Sequence, residues 1–254
     1  MNILVSNDDG ISSKALKTLV KTLSDIGDIY VVAPDCERSA NSHHFTLFGK
    51  MRIEEKEMEG AKQAFALWGT PCDCIHAGLK FIVKEKIDLV VSGINKGANT
   101  THDAVYSGTI AAAREGFIQG IQSIAFSLNT FDDRDYTEAS IIAKGIVLQY
   151  LQNKNPNYFL NVNIPDLPMK QIKGIKVCEL SGRIDYNENY YYEEEFGVKY
   201  LALGKTDTDL LFDRNNYDID HVALDNGYIT IVPLFNDEVN HNYINEVKEI
   251  YEDK

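Results

Sequence analysis

Short apolar runs separated by amphipathic stretches recur through the first two thirds of the chain, and this alternation restricts the fold more than any other feature. The runs are "NILVSN", "DIYVVAP", "IDLVVSG", "QSIAFSL" and "YFLNVNIP". Each has the length of a strand and too few polar residues for a half-solvated one. Between them, Leu16, Leu19, Val20 and Leu23 recur at helical spacing after Ser13, with Gly27 as a stop. "TPCDCIHAGLKFIVKEK" reads as a helix with proline in its first turn, and "TIAAAREGFIQG" as one ending near Gly120. Residues 137–152 place Ala139, Ile142, Ala143, Ile146, Val147 and Tyr150 on one helical face. "MRIEEKEM" and "AFALWG" suit two further strands. Buried strands alternating with helices imply βαβ units: an α/β fold whose mainly parallel sheet is covered on both faces, in three layers.

Sheets of this kind bind ligands outside the carboxyl ends of their strands. The first run ends there in "SNDDG", which sets Asp8 beside Asp9. Adjacent carboxylates repel, and an Asp-Gly pair by itself often marks only a turn. A divalent cation is the simplest reason to hold both at the mouth of a buried strand, because it cancels the repulsion; Mg²⁺ and Mn²⁺ favour oxygen ligands. The loop after "DIYVVAPD" supplies Ser39, and the loop after "IDLVVSG" supplies Asn95. A hydroxyl and an amide oxygen complete an all-oxygen set with Asp8 and Asp9. Their bland alternatives are a turn residue for Ser39 and a backbone-bonded loop residue for Asn95.

"VYSGTIAAAREG" places Ser107, Gly108 and Thr109 just before an alanine-rich helix. A helix start offers free N–H groups and a partial positive charge, which suit phosphate; the alternative is an ordinary Ser/Thr cap. A cation site and an anion cradle at one sheet edge suggest a bound phosphoester. His43, His44 and His102 fall in the same loops, where one is placed to act as a general acid. His76, His221 and His241 have no evident chemical context in the sequence, and Asp73 is read as a helix cap.

The formal net charge of -13 over 254 residues argues against coating a nucleic-acid polymer. No basic segment precedes a hydrophobic leader, and no run of 18 apolar residues spans a membrane. Cys36, Cys72, Cys74 and Cys178 form no metal or redox motif and read as free thiols of a cytoplasmic protein. From about Pro165 the texture shifts. "SGRIDYNENYYYEEEFGVKYLALGKTDTD" is rich in tyrosine and acid and reads as an extended hairpin, packed either on a partner subunit or back on its own chain. "NGYITIVPL" is a last strand, and Glu238 to Tyr251 a last helix.

Several of these stretches together resemble the SurE family, the stationary-phase survival proteins that act as 5′/3′-nucleotidases. They are "ILVSNDDG", "VVAPDCERSANS", "WGTPCDC", "DLVVSGINKGANT", "VYSGTIAAAREG", "LNVNIPD" and "GYITIVPL", in the family's order and over nearly the whole chain. The resemblance implies a Rossmann-like core within one SurE-like domain over residues 1–254, the core at about 1–180 and 225–254 and a protruding arm at about 181–224. It implies a metal-dependent phosphomonoesterase acting on nucleoside monophosphates. Asp8 and Asp9 would be catalytic. Asp8, Asp9, Ser39 and Asn95 would ligate one Mg²⁺ or Mn²⁺, and Asn95, Ser107, Gly108 and Thr109 would bind substrate. It also implies a homodimer or homotetramer joined through the arm. Two rivals share the acidic pair: a Mg²⁺-dependent signalling receiver and a non-catalytic nucleotide-binding module. The receiver needs an acceptor aspartate where this chain has Ser92-Gly93. One departure stands out. The family usually has glycine after the loop serine, where this chain has Ala40, and His43-His44 replace smaller polar residues, so the loop's contacts with substrate are expected to differ.

Overall fold

The computed structural model describes residues 1–132, 134–153, 157–180, 184–187, 190–203, 207–210 and 215–236, with Ile244 and Lys248. The helix expected at Glu238 to Tyr251 lies outside the described residues.

The first βαβ unit sets the pattern. Strand β1 (Asn2–Ser6) leads to helix α1 (Lys14–Leu23) and then β2 (Asp28–Pro34), which pairs parallel to β1 with Val5 opposite Val31. Helix α1 ends at Ser24, whose N–H bonds to the Val20 carbonyl, before Gly27 is reached. Strands β3 (Ile53–Lys56) and β4 (Ala61–Leu67) follow, β4 parallel to β2 and β3 antiparallel on the outer edge. Helix α2 (Pro71–Ala77) is shorter than its sequence suggests. At Gly78 the backbone settles against Leu4 and the chain widens into one looser turn, closed by the Val83 N–H on the Gly78 carbonyl.

The chain then crosses to the other side of β1. Strand β5 (Leu89–Lys96) pairs parallel to it, followed by helix α3 (Gly108–Ile118), β6 (Gln122–Asn129), helix α4 (Thr137–Tyr150) and β7 (Phe159–Pro165). Strand β13 (Ile229–Leu234) closes antiparallel on β7, with short β8 (Ile175–Val177) outside it. The nine-stranded order among the described residues is β3-β4-β2-β1-β5-β6-β7-β13-β8. Its direction reverses between β1 and β5, and a crevice opens at such a switch point.

Alternation along each strand divides the core. Ile3 and Val5 face α1 and α4 with Leu16, Leu19, Ile146 and Val147. Leu4, between them, faces the opposite layer with Tyr30, Val32, Ile75 and Ala112 from α2 and α3. Both layers are needed because both faces of β1 are apolar and fully buried.

A second region stands apart from the sheet. Strands β9 (Ile184–Asn187) and β12 (Asp207–Leu210) pair antiparallel, and within them β10 (Tyr190–Glu195) pairs with β11 (Val198–Leu203), Tyr192 opposite Leu201. This is the expected hairpin. Its base is held by the Glu179 N–H on the Asp218 carbonyl and by helix α5 (Asp220–Asp225). Among the described residues no helix is long and apolar enough to cross a membrane.

Candidate active site

Asp8 and Asp9 lie immediately past β1, at the switch point. Asp8 is only 4% exposed. Thr109 Oγ1 donates to Asp8 Oδ1, and the Thr109 backbone N–H also reaches this carboxylate. The start of helix α3 is therefore aimed at Asp8, where its free N–H groups and partial positive charge favour an anion. Gly108 makes the close approach possible: a Cβ there would stand 3.0 Å from Asp8 Cβ and 3.1 Å from Asp8 Oδ2. Burial nevertheless outweighs these bonds and raises the Asp8 pKa above the ordinary carboxylate range. Asp9 is less buried and accepts the Lys96 N–H at Oδ2, 3.3 Å away. Burial first, and the charge of Asp8 second, push its pKa up to about 6.

The loops that carry the other expected residues are tied to this pair by neighbouring backbone groups. The Lys96 bond sets the end of β5 against Asp9, one residue from Asn95. The Asn95 Nδ2 donates to the Gly97 carbonyl at 2.8 Å, so its Oδ1 is the atom left as a ligand. The Arg38 N–H donates to the Asp8 carbonyl at 2.7 Å, which seats the loop after β2 on the site one residue from Ser39. Gly10 lets that loop close, since at φ +93° a side chain would lie 2.9 Å from the Cys36 carbonyl carbon. Ser39 is exposed and its hydroxyl donates to Glu37. Ser107 caps α3, accepting the Ile110 N–H at 3.1 Å, as the ordinary cap reading expects.

The donor chemistry suits a hard cation. The buried Asp8 and half-buried Asp9 carboxylates repel each other, and each is held toward its neutral form by its surroundings. A cation reverses both penalties at once. Among the described residues no three His, Cys, Asp or Glu side chains group so as to hold a metal. The neutral oxygens expected to complete a site are those of Ser39 and Asn95. Asn7, beside the pair, carries a buried Oδ1 with no partner among the described residues.

The family model for survival protein SurE matches residues 3–187. The chain belongs to the SurE family. A protein of Clostridium botulinum (strain Eklund 17B / Type B) named 5′-nucleotidase SurE is 39% identical, over 99% of this chain and 100% of that relative. One of the same name from Flavobacterium johnsoniae is 38% identical, over 96% and 95%. The crystal structure of the SurE protein from Aquifex aeolicus superposes with a TM-score of 0.83 at 33% identity, covering 98% of this chain and 99% of that one.

The departure from the SurE pattern has a structural counterpart. Ala40, where the family usually has glycine, sits at φ +55°, and Ser42 at φ +50°. Both are in the left-handed region that glycine enters freely and other residues enter at a cost. The sequence also gave no sign of Glu115. This side chain, 5% exposed, accepts from His43 Nε2 at 3.0 Å, His76 Nδ1 at 2.9 Å and Gln119 Nε2 at 2.9 Å. Burial opposes its charge, but the bonds from His43, His76 and Gln119 prevail and hold its pKa near 2. Only the Glu115–Gln119 pair, four apart on one helix, is local enough to be read from spacing.

A second polar cluster holds the loop after β5. The Asn99 N–H and carbonyl bond to Asn163 at 2.7 and 3.1 Å, and the Asn161 Nδ2 donates to the same carbonyl at 2.8 Å. The signal was present: two asparagines spaced by two in "LNVNIP" share one face of an otherwise apolar strand. Asp73 completes a capping box with Thr70 and also accepts from the Thr46 N–H and hydroxyl. The cap reading of Asp73 therefore holds, and the same carboxylate ties down the loop after β2.

Proposed function

We propose that this protein is a metal-dependent phosphomonoesterase that hydrolyses nucleoside 5′- or 3′-monophosphates to nucleoside and phosphate. The observation that carries the reading is the Asp8-Asp9 pair at the switch point, with Asp8 buried and anchored on the start of α3. The relatives' name, 5′-nucleotidase SurE, supports the substrate class.

Asp8, Asp9, Ser39 Oγ and Asn95 Oδ1 are the groups that would hold one Mg²⁺ or Mn²⁺. When bound there, the cation supplies charge neutralisation at a phosphoryl oxygen and acidifies water. Thr109 fixes the Asp8 carboxylate so that it need not reorganise during the reaction. Asp9 Oδ1, not engaged by the Lys96 N–H, takes the proton of the attacking water. Ser107 accepts from Ile110 and so keeps its own O–H to donate to phosphate. Gly108, first in the helix, has an N–H without an intrahelical partner. Asn95 flanks the same phosphate from the β5 side. The receiver reading fares worse, because Ser92, where an acceptor aspartate is needed, is fully buried.

The hairpin is assigned to self-association. Tyr190, Tyr191, Tyr192, Val198, Tyr200 and Leu201 are all exposed in the single chain. A partner subunit would cover them, giving a homodimer or homotetramer. The four free thiols suit a reducing cytoplasm.

The test is phosphate release from a panel of nucleoside 5′- and 3′-monophosphates with Mg²⁺, Mn²⁺ or EDTA. Turnover with either metal and its loss in EDTA are expected. Full turnover in chelated, metal-free protein, or none on any monophosphate, would overturn the reading.

A further inference from the structure

The loop after β2 carries Ser39 in a conformation its own residues disfavour. Two non-glycine residues, Ala40 and Ser42, are in the left-handed region that side chains disfavour. Such backbone persists only where its surroundings over-determine it. Near its start the loop is tied by the Arg38 N–H on Asp8 and the Asn41 Nδ2 on the Arg38 carbonyl. The Ser42 N–H bonds to the Tyr106 carbonyl, and Thr46 is held by Asp73. Between these points the loop is fastened from below through Glu115.

Glu115 reaches residues 43–45 by two routes. His43, on the loop, bonds to Glu115 Oε2 directly. The Nδ1 of the same ring is buried and has no partner among the described residues, so the Glu115 bond fixes its orientation. His76, on α2, bonds to Glu115 Oε1 and meets the Phe45 ring edge-on, with centroids 4.9 Å apart. The carboxylate belongs to α3, the helix whose first turn holds Asp8.

We infer that the His43–Glu115–His76 bridge is a latch that holds the Ser39 loop over the site, with Glu115 and His43 as positioning residues. The inference rests on the reading of Ser39 as a metal ligand. Geometry separates the latch from a plain brace between α2 and α3. His43 is itself a residue of the loop, whereas Gln119, at the end of α3, bonds the same carboxylate from outside the loop.

The experiment uses the full chain and three variants: His43→Ala, His43→Gln, whose amide can still donate to Glu115, and Gln119→Ala. In metal-free protein, amide hydrogen exchange is followed over residues 37–48. His43→Ala should exchange there about tenfold faster, the scale of one lost hydrogen bond to a charged group. His43→Gln and Gln119→Ala should stay near the parent. Mn²⁺ titration should follow the same order, with His43→Ala weaker by about the same factor and His43→Gln restored. Unchanged loop exchange in His43→Ala, or equal loosening by Gln119→Ala, would overturn the latch. If the parent binds no Mn²⁺, the proposed metal site fails, and loop exchange still decides the latch on its own.

Discussion

Among single residues, Asp8 and Asp9 occupy positions that conflict with their own chemistry. Both are held toward the protonated form, Asp9 at about 6 against 3.8 for a free aspartate. The stability that goes with a protonated Asp9 is fully present below about pH 4 and is lost as pH rises through 6. Metal-free protein should therefore melt lower at pH 8 than at pH 5. Asp9→Asn removes one charge at nearly constant shape. Its metal-free form should melt at or above the parent's temperature at pH 8, and it should gain less from Mn²⁺. Its activity should fall by about a hundredfold or more. Differential scanning calorimetry with and without Mn²⁺ reads both stability effects. Stability and activity lost together in the metal-free variant would mark the pair as a structural turn. Asp8 and Asp9 were legible because their signal is local, two charges at the end of an apolar run. Glu115 was not, because its partners lie 72 and 39 residues away in the chain.

At the scale of elements, β1, β2, β6 and β7 were read to within a residue and β4 and β5 to within three, while α2 and the segment after β7 were not. Strands β1, β2, β5, β6 and β7 are buried on both faces, so composition marks them without help from pairing. Helix α2 stops early because the approach of Gly78 to Leu4 is a tertiary contact that periodicity does not encode. Helix α5 was missed altogether: six residues give too few turns for a periodic signal. Its first residue, Asp220, is fully buried and accepts the Thr101 N–H at 3.1 Å, joining the base of the hairpin to the turn that follows Asn99. Burial drives the Asp220 pKa up to about 7, over the bonds from Thr101 and His221 that lower it. The associated stability is complete below about pH 4 and is lost as pH climbs through 7. The slope is at most about 1.4 kcal/mol per pH unit. Asp220→Asn keeps an acceptor for Thr101 and cannot ionise. The difference in unfolding free energy between variant and parent should shift in the variant's favour from pH 5 to pH 8, as urea titrations would show. A difference that does not change with pH would mean that Asp220 does not titrate in that range.

On the scale of the whole molecule, the sheet and the hairpin answer to different physics. The sheet buries its strands between two helical layers and needs no partner to do so. The hairpin does not cover its own apolar surface: every residue of β10 is exposed, and Phe196 at its tip is fully so. Composition pointed to a hairpin, but the surface that a second copy would offer it lies outside the chain and leaves no local pattern. A two-stranded ribbon is marginal alone in water, so its order requires either the body of the chain or a partner. The base is fastened to the body through Glu179, Asp218 and Asp220, whereas the tyrosines lie beyond that attachment. Excising residues 184–210 and closing the gap with a short glycine-serine linker removes both strand pairs and spares the nine-stranded sheet. The product should remain folded, with a melting temperature within a few degrees of the parent's, because the sheet's core is untouched. Its mass by light scattering should fall, to the monomer if the arm is the whole interface. Metal binding should survive, since Asp8, Asp9, Ser39 and Asn95 all precede the excision. An unchanged mass would assign association to another face and return the tyrosines to packing against their own chain.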